Sequence, residues 1–409
     1  MMQSYDDFFQ TSLETLKEEG RYRTFIQLKK IPNSFPKVLY CKGPLQKEVT
    51  IWCSNDYLGM GMHPDVLSLM HSSIDQDGAG SGGTRNIGGT HHWHVKLERE
   101  IAEWHQKEAA LLFTSGYVAN EATLSTLGRH LPHCIIFSDE QNHASMIHGI
   151  RYSDAEKCIF RHNDLNHLET LLKNSPPYAS KIIAFESVYS MGGDIASIEK
   201  ICDLADQYQA LTFVDEVHAV GLYGTQGGGI LQKESLSHRV SVICANFGKT
   251  IGIMGGYIAG NHHLVDFIRS FASPFIFTTS LPPVICAGAL ASIQHLKESN
   301  RERLTMHARV NFLKKELRKT SIEFLDSDSH IIPIMVRNAS LCKQISDELL
   351  ECHNIYVQPI NYPTVPKGQE RLRVTLTPFH TEEMIESFIK SLLNVWKKFN
   401  LITPLKNHA

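Results

Sequence analysis

The stretch LTFVDEVHAVG (residues 211–221) decides how this chain reads. A run of Leu, Thr, Phe and Val stops at Asp215, and His218 follows three residues later. Apolar runs closed by a turn are strands buried on both faces, the pattern of a parallel sheet in an α/β protein. In such sheets the residues just past a strand's C-terminal end border the ligand crevice. A second stretch, NFGKTIGIMGG (246–256), sets Lys249 among Phe247, Ile251, Ile253, Met254 and glycines. A lysine in water-poor surroundings loses proton affinity and becomes nucleophilic. An acid at a strand end paired with such an amine suits pyridoxal phosphate. That cofactor needs an amine for a Schiff base and a carboxylate beside its ring nitrogen.

Working outward, residues 64–295 alternate between apolar runs and helical stretches. The runs are ALLFT, CIIFS, KIIAFES, LTFVDE, VSVICAN and GGYIAG; VKLEREIAEWH and SIEKICDLADQY carry helical periodicity. This predicts a large, mainly parallel α/β domain. Residues 1–63 read as an N-terminal arm, with Tyr5, Phe8, Phe9, Leu13 and Leu16 at helical spacing and a strand near Val49–Cys53. An amphipathic segment at about 284–319 leads into residues 296–409, read as a small α+β domain with strands HIIPIMV, IYVQPI and RLRVTLT. Ser115, Ser138, Asp215 and Lys249 each fall at or just past a strand end, which predicts one shared site.

Composition bounds the rest. The 409 residues are 42% hydrophobic and 20% charged, with a formal net charge of -3. No basic surface argues for nucleic acid or an anionic membrane. The nine cysteines form no C-x-x-C pair, which fits a reduced, cytoplasmic protein better than a disulfide framework or zinc site. The N-terminus has no apolar h-region, and no run of about 18 apolar residues predicts a membrane span.

Further motifs read less sharply. Ser115-Gly116-Tyr117 joins a strand to a helix, where backbone N–H groups can cradle a phosphate; an ordinary βα turn reads the same. GAGSGG (78–83) lacks the preceding strand of a dinucleotide loop and reads as a loop presenting Thr84, Arg85 and Asn86. His91, His92 and His94 lack partner ligands at metal spacing, so no metal is expected. Arg371 and Arg373 share a strand face, where an arginine clamps a carboxylate or closes a salt bridge. His218 suits either the same site or a structural role.

Together, NDYLGM (55–60), GAGSGGTRN (78–86), FTSGYVAN (113–120), FSDEQNHASMIHGIR (137–151), AFESVYSM (184–191), DEVHAVGLYG (215–224), GKT (248–250), GGYIAG (255–260), FTTSLPP (277–283) and PTVPKGQERLR (363–373) resemble the α-oxoamine synthases. The resemblance spans nearly the whole chain. It implies a pyridoxal phosphate-dependent transferase of fold type I, a homodimer with its site at the subunit interface, joining an amino acid to an acyl-CoA. GRYRTF (20–25), GTRNI (83–87), EKCIFRHND (156–164) and YVQPINYPTVP (356–366) narrow the substrates to glycine and succinyl-CoA, giving 5-aminolevulinate, CoA and CO2 on the route to haem. A sibling synthase with another acyl-CoA, or an inactive or regulatory paralogue, is the alternative.

The resemblance also implies residue roles. Lys249 holds the cofactor and takes the glycine α-proton, Asp215 pairs with the ring nitrogen and His143 stacks on the ring. Ser190 and His218 hydrogen-bond the cofactor. Ser115, Gly116, Tyr117 and Asn246, with Thr278 and Thr279 from the partner subunit, surround the phosphate. Arg373 and Asn55 meet the glycine carboxylate; Arg23, Thr84, Asn86, Ser138, Lys157 and Thr364 shape the substrate side. Asn246 replaces the usual threonine, Gly192 an aspartate and Gly88-Gly89-Thr90 the usual S-G-T, so a re-aimed phosphate contact is expected.

Overall fold

The computed structural model describes residues 4–401. In chain order the elements are α1 (Tyr5–Glu18), β1 (Gln27–Lys30), β2 (Lys37–Lys42), β3 (Leu45–Ile51), α2 (Pro64–Asp77), α3 (His92–Trp104), β4 (Ala109–Phe113), α4 (Gly116–His130) and β5 (Ile135–Asp139). Next come α5 (Ala144–Arg151), β6 (Glu156–Phe160), α6 (Leu165–Asn174), β7 (Lys181–Glu186), α7 (Ile198–Tyr208), β8 (Ala210–Asp215), α8 (Ile230–Lys233), β9 (Val242–Asn246), β10 (Gly256–Gly260), α9 (His262–Phe271), α10 (Ser273–Ile276) and α11 (Pro283–Glu298). The remainder holds α12 (Arg301–Leu317), β11 (Ile331–Met335), α13 (Ala339–His353), β12 (Ile355–Tyr356), β13 (Pro359–Ile360), β14 (Arg371–Thr375) and α14 (Glu382–Lys398). None of the described helices is long and apolar enough to cross a membrane.

The chain divides into two compact units. One comprises residues 55–190 and 194–304, the other 1–54, 191–193 and 305–409. The sequence reading differs on two points. It set the arm 1–63 apart, whereas residues up to 54 belong with the C-terminal part. The cause is β12, whose Ile355 and Tyr356 pair parallel with Thr50 and Ile51 of β3. It also placed the second boundary at 295/296, whereas the contact boundary follows residue 304, inside α12.

In the larger unit a seven-stranded sheet runs β4-β10-β9-β8-β7-β5-β6. The strand β10 is antiparallel to both β4 and β9; the β9-β8-β7-β5-β6 run is parallel. The strands are apolar throughout because helices cover both faces of such a sheet. Ile182, Ile183, Ala184, Phe213, Val214 and Ile243 are fully buried. The edge strand β6 went unread in the sequence, since its EKCIF is largely exposed and lacks a continuous apolar run. In the smaller unit β1-β2-β3-β12 form one sheet and β11-β14-β13 another.

Phe213 lies at the middle of the large sheet with no exposed surface. Phe213→Ala should lower the holoprotein's unfolding free energy by about 3–5 kcal/mol, read from the denaturant midpoint.

Candidate active site

The site begins where β8 ends. Asp215 is buried; its Oδ2 accepts from Asn120 Nδ2 at 2.7 Å and its Oδ1 accepts from the Val217 N–H at 2.8 Å. Donors on both oxygens fix the orientation of the carboxyl group. Glu186 stands in register with Asp215 at the end of β7. Its carboxyl pKa is pushed well above the ordinary range, by burial first and then by the charge of Asp215. Backbone N–H groups of His143 and Ser190 and the charge of Lys249 oppose this without prevailing. Two buried carboxyl groups thus end neighbouring strands side by side.

The same hydrogen-bond chain reaches the next helix. Asn120 Nδ2 also donates to Ser145 Oγ at 3.0 Å, and Ser145 Oγ lies 2.7 Å from His143 Nδ1. His143 caps α5 and accepts the Ser145 N–H. Partial desolvation lowers its pKa, with Lys249 adding to the effect and Asp215 opposing it. A neutral ring results near pH 7. On the other side, Tyr57 Oη lies 2.8 Å from His218 Nδ1 and 3.2 Å from Asn55 Oδ1, so a buried phenol fixes the His218 ring.

At the end of β4, Ser115 caps α4 and its Oγ accepts the Val118 N–H at 3.1 Å. The α4 N-terminus therefore offers its first-turn N–H groups beside Gly116 and Tyr117. Gly116 has to be glycine, because a Cβ there would come within 2.7 Å of Asn246 Cβ. Gly116, Tyr117, Asn120, His143, Ser145, Glu186, Asp215, His218, Asn246 and Lys249 line one cleft. Lys249 is partly buried, and Tyr117 Oη contacts His148 Nδ1.

These residues fit pyridoxal phosphate. Asn246 Oδ1 and Glu186 Oε1 are buried without a hydrogen-bond partner, so the cleft keeps unmet polar groups. A helix N-terminus for the phosphate, a carboxylate for the ring nitrogen and an amine for the aldehyde stand around it. Asn246 supplies an amide where a threonine hydroxyl was expected, and it packs directly on the α4 turn.

The structure brings Ser115, Gly116, Tyr117, His143, Asp215, His218, Asn246 and Lys249 to this cleft region, with Ser190 buried past β7. Other sequence-selected residues stand elsewhere in the chain. Thr84 bridges Thr279, and Thr278 Oγ1 donates to Pro274 O at 2.6 Å. Thr278 and Thr279 line a different cavity, and Asn86 sits in the short helical turn 85–89. Ser138 is buried at the end of β5 and accepts from Asn142 Nδ2 at 2.9 Å. Lys157 is exposed on β6. In the smaller unit, Arg23 Nη2 stands 3.5 Å from Thr364 Oγ1, and both line a cavity of about 310 Å³. Arg373 is buried on β14. Its neighbour Arg371 donates to Gln369 O and Met191 O, which accounts for that guanidinium.

Sequence reasoning missed Asn120, Ser145, Glu186 and Tyr57. Glu186 ends its strand as Asp215 does, so the same signal was present in AFES. It also missed His162, whose ring meets Asp139 Oδ1 at 2.9 Å and Asp194 on its other side.

Comparison with known proteins agrees with this geometry. The aminotransferase class I and II family matches residues 47–392, and the chain belongs to that family of pyridoxal phosphate enzymes. A 5-aminolevulinate synthase of Rhizobium meliloti (strain 1021) is 56% identical over 96% of this chain and 98% of its own. A serine palmitoyltransferase of Sphingomonas wittichii superposes with a TM-score of 0.90 at 28% identity, covering 98% of each chain. Another serine palmitoyltransferase structure, containing pyridoxal phosphate, gives a TM-score of 0.90 at 27% identity over 97% of this chain and 98% of that one. Within the wider family the chain belongs to the 5-aminolevulinate synthases: it is a pyridoxal phosphate-dependent acyltransferase that condenses glycine with succinyl-CoA.

Burial alone would lower the His162 pKa, but hydrogen bonds and charges from Asp139 and Asp194 raise it to about 10. A raised histidine stabilises fully below its unfolded pKa of about 6.5, and that contribution is lost as pH climbs through about 10. His162→Gln should therefore cost on the order of 3 kcal/mol at neutral pH. It should also flatten the fall in stability toward alkaline pH, measured by denaturation at several pH values.

Proposed function

We propose that the Asp215–Lys249 cleft carries out the decarboxylating condensation of glycine with succinyl-CoA, with the residue roles that follow. The observation that carries this reading is the buried Asp215, fixed by Asn120 and Val217 and adjoining Glu186, in a cleft that also holds Lys249. When bound there, pyridoxal phosphate supplies an aldehyde for an amine and an electron sink for a carbanion. Asp215 holds the proton on the ring nitrogen through its carboxylate oxygens. His143, tied to Asn120 through Ser145, presents a ring face to the cofactor. The α4 N-terminus, Ser115 and Asn246 take the phosphate.

Lys249 Nζ accepts the α-proton of glycine and later returns a proton to the product carbon. Arg373 takes the glycine carboxylate until it leaves as CO2, and Asn55 supports it. Arg23 and Thr364 take the succinyl carboxylate: a cation beside a hydroxyl in a polar cavity suits an acid end, whereas a long acyl chain wants an apolar channel. Thr84, Asn86, Ser138 and Lys157 serve the CoA side. Thr278 and Thr279, which line a different cavity of their own chain, serve the partner's phosphate site in a homodimer. We place the protein in the cytoplasm, in keeping with its nine free thiols.

Two variants test the reading. Lys249→Ala should lose the borohydride-reducible visible absorption of the holoenzyme and at least about 10³-fold in CoA release. Arg23→Leu should raise KM for succinyl-CoA about tenfold or more and leave any acetyl-CoA turnover unchanged. Equal wild-type activity with acetyl-CoA and succinyl-CoA would sink the succinyl assignment.

A further inference from the structure

His63, His295 and Glu302 come together at a place the reaction does not use. His63 is the N-cap residue of α2 but makes no side-chain capping bond. His295 lies in the last turn of α11, and Glu302 in the first turn of α12. One ligand atom from each of the three lies within 4.8 Å of the other two. The imidazoles stack at 4.1 Å between centroids with a 41° tilt. His63 Nδ1 and His295 Nε2 are buried and make no hydrogen bond. His295 Nε2 and Glu302 Oε1 stand 3.4 Å apart without hydrogen-bond alignment. The other Glu302 oxygen accepts from Ser299 Oγ at 2.8 Å, which orients the carboxylate. Asp65 Oδ2 stands 3.8 Å from His63 Nδ1 but outside this three-residue group.

Two buried imidazole nitrogens with unmet lone pairs are costly unless something takes them. A tetrahedral zinc with ligand bonds near 2.0–2.1 Å sets its donors about 3.3 Å apart. Side-chain movements on the order of 1 Å would close the cluster to that size. We propose that His63, His295 and Glu302 form a zinc-class divalent cation site, completed by water. Two nitrogens and a carboxylate select zinc, cobalt or nickel over magnesium or calcium, which want oxygen ligands. The ion ties the start of α2 to the α11–α12 joint, so its role is structural and lies outside the catalytic cleft.

The test uses holoenzyme stripped with a chelator and titrated with Zn2+ by calorimetry, and with Co2+ by visible absorption. The expected result is one ion per chain, a tetrahedral cobalt band and a raised thermal midpoint. His295→Gln and Glu302→Gln, checked for native circular dichroism and retained cofactor absorption, should each weaken binding about tenfold or more. His63→Gln serves in place of either one if it fails to fold. His91→Ala, at the Asp77–His91–His92 group, should leave binding intact. Absence of stoichiometric binding by the wild-type holoenzyme would overturn the proposal. So would unchanged affinity in the folded variants, which would assign the ion to one of the nine thiols or to the cofactor phosphate.

Discussion

Two carboxyl groups end adjacent strands at the same register. Asp215 and Glu186 are both almost fully buried. Burial and then the charge of Asp215 push the Glu186 pKa well above the ordinary range, and the two groups differ in their donors. Asp215 receives a side-chain amide and a backbone N–H, while Glu186 retains an oxygen with no donor. The Asp215 carboxyl group is therefore held in one orientation at the cleft. Its Asn120 contact also connects through Ser145 to His143, so the acid and the imidazole are positioned by one network.

That network explains the local fold. Asn120 sits one turn inside α4, whose cap Ser115 and close-packed Gly116 set the phosphate end of the cleft. Ser145 opens α5 just past the β5 strand end. A parallel sheet delivers all these strand ends to one edge, so acid, amine, imidazole and helix N-terminus meet without long-range loops. Gly256 shows how tightly the arrangement is built: a Cβ there would lie 2.4 Å from the Gly116 N. The antiparallel β10 can lie against the α4 turn only because it begins with glycine.

Much of this was legible in the sequence. Continuous apolar runs marked β4, β5, β7, β8, β9 and β10, and strand ends marked Asp215 and Lys249. Residues chosen by chemistry alone were harder. Asn120 lies inside a helix and reads as an ordinary polar position, and Tyr57 reads as core. Their roles come from which strand lies beside which, a pairing the order β4-β10-β9-β8-β7 sets and the sequence does not state. The run IYVQPI reads as one strand, but it holds two, β12 and β13, in different sheets. A two-residue strand has no periodicity to set its partner, and the pairing of β12 with β3 joins residues 1–54 to the C-terminal part.

The Asn246 departure sharpens the same point. A threonine at this position would offer a hydroxyl on a compact β-branched side chain. Asn246 instead places its Cβ against the Gly116 backbone and leaves Oδ1 buried and unmatched. The amide's oxygen and nitrogen are interchangeable by a ring-free flip, so the group can turn its NH2 donors toward an anion. Its stem is already held by the α4 turn, which restricts that choice to two orientations. If the phosphate binds at this turn as proposed, a planar amide set by packing takes the place of a freely rotating hydroxyl beside the α4 N-terminus.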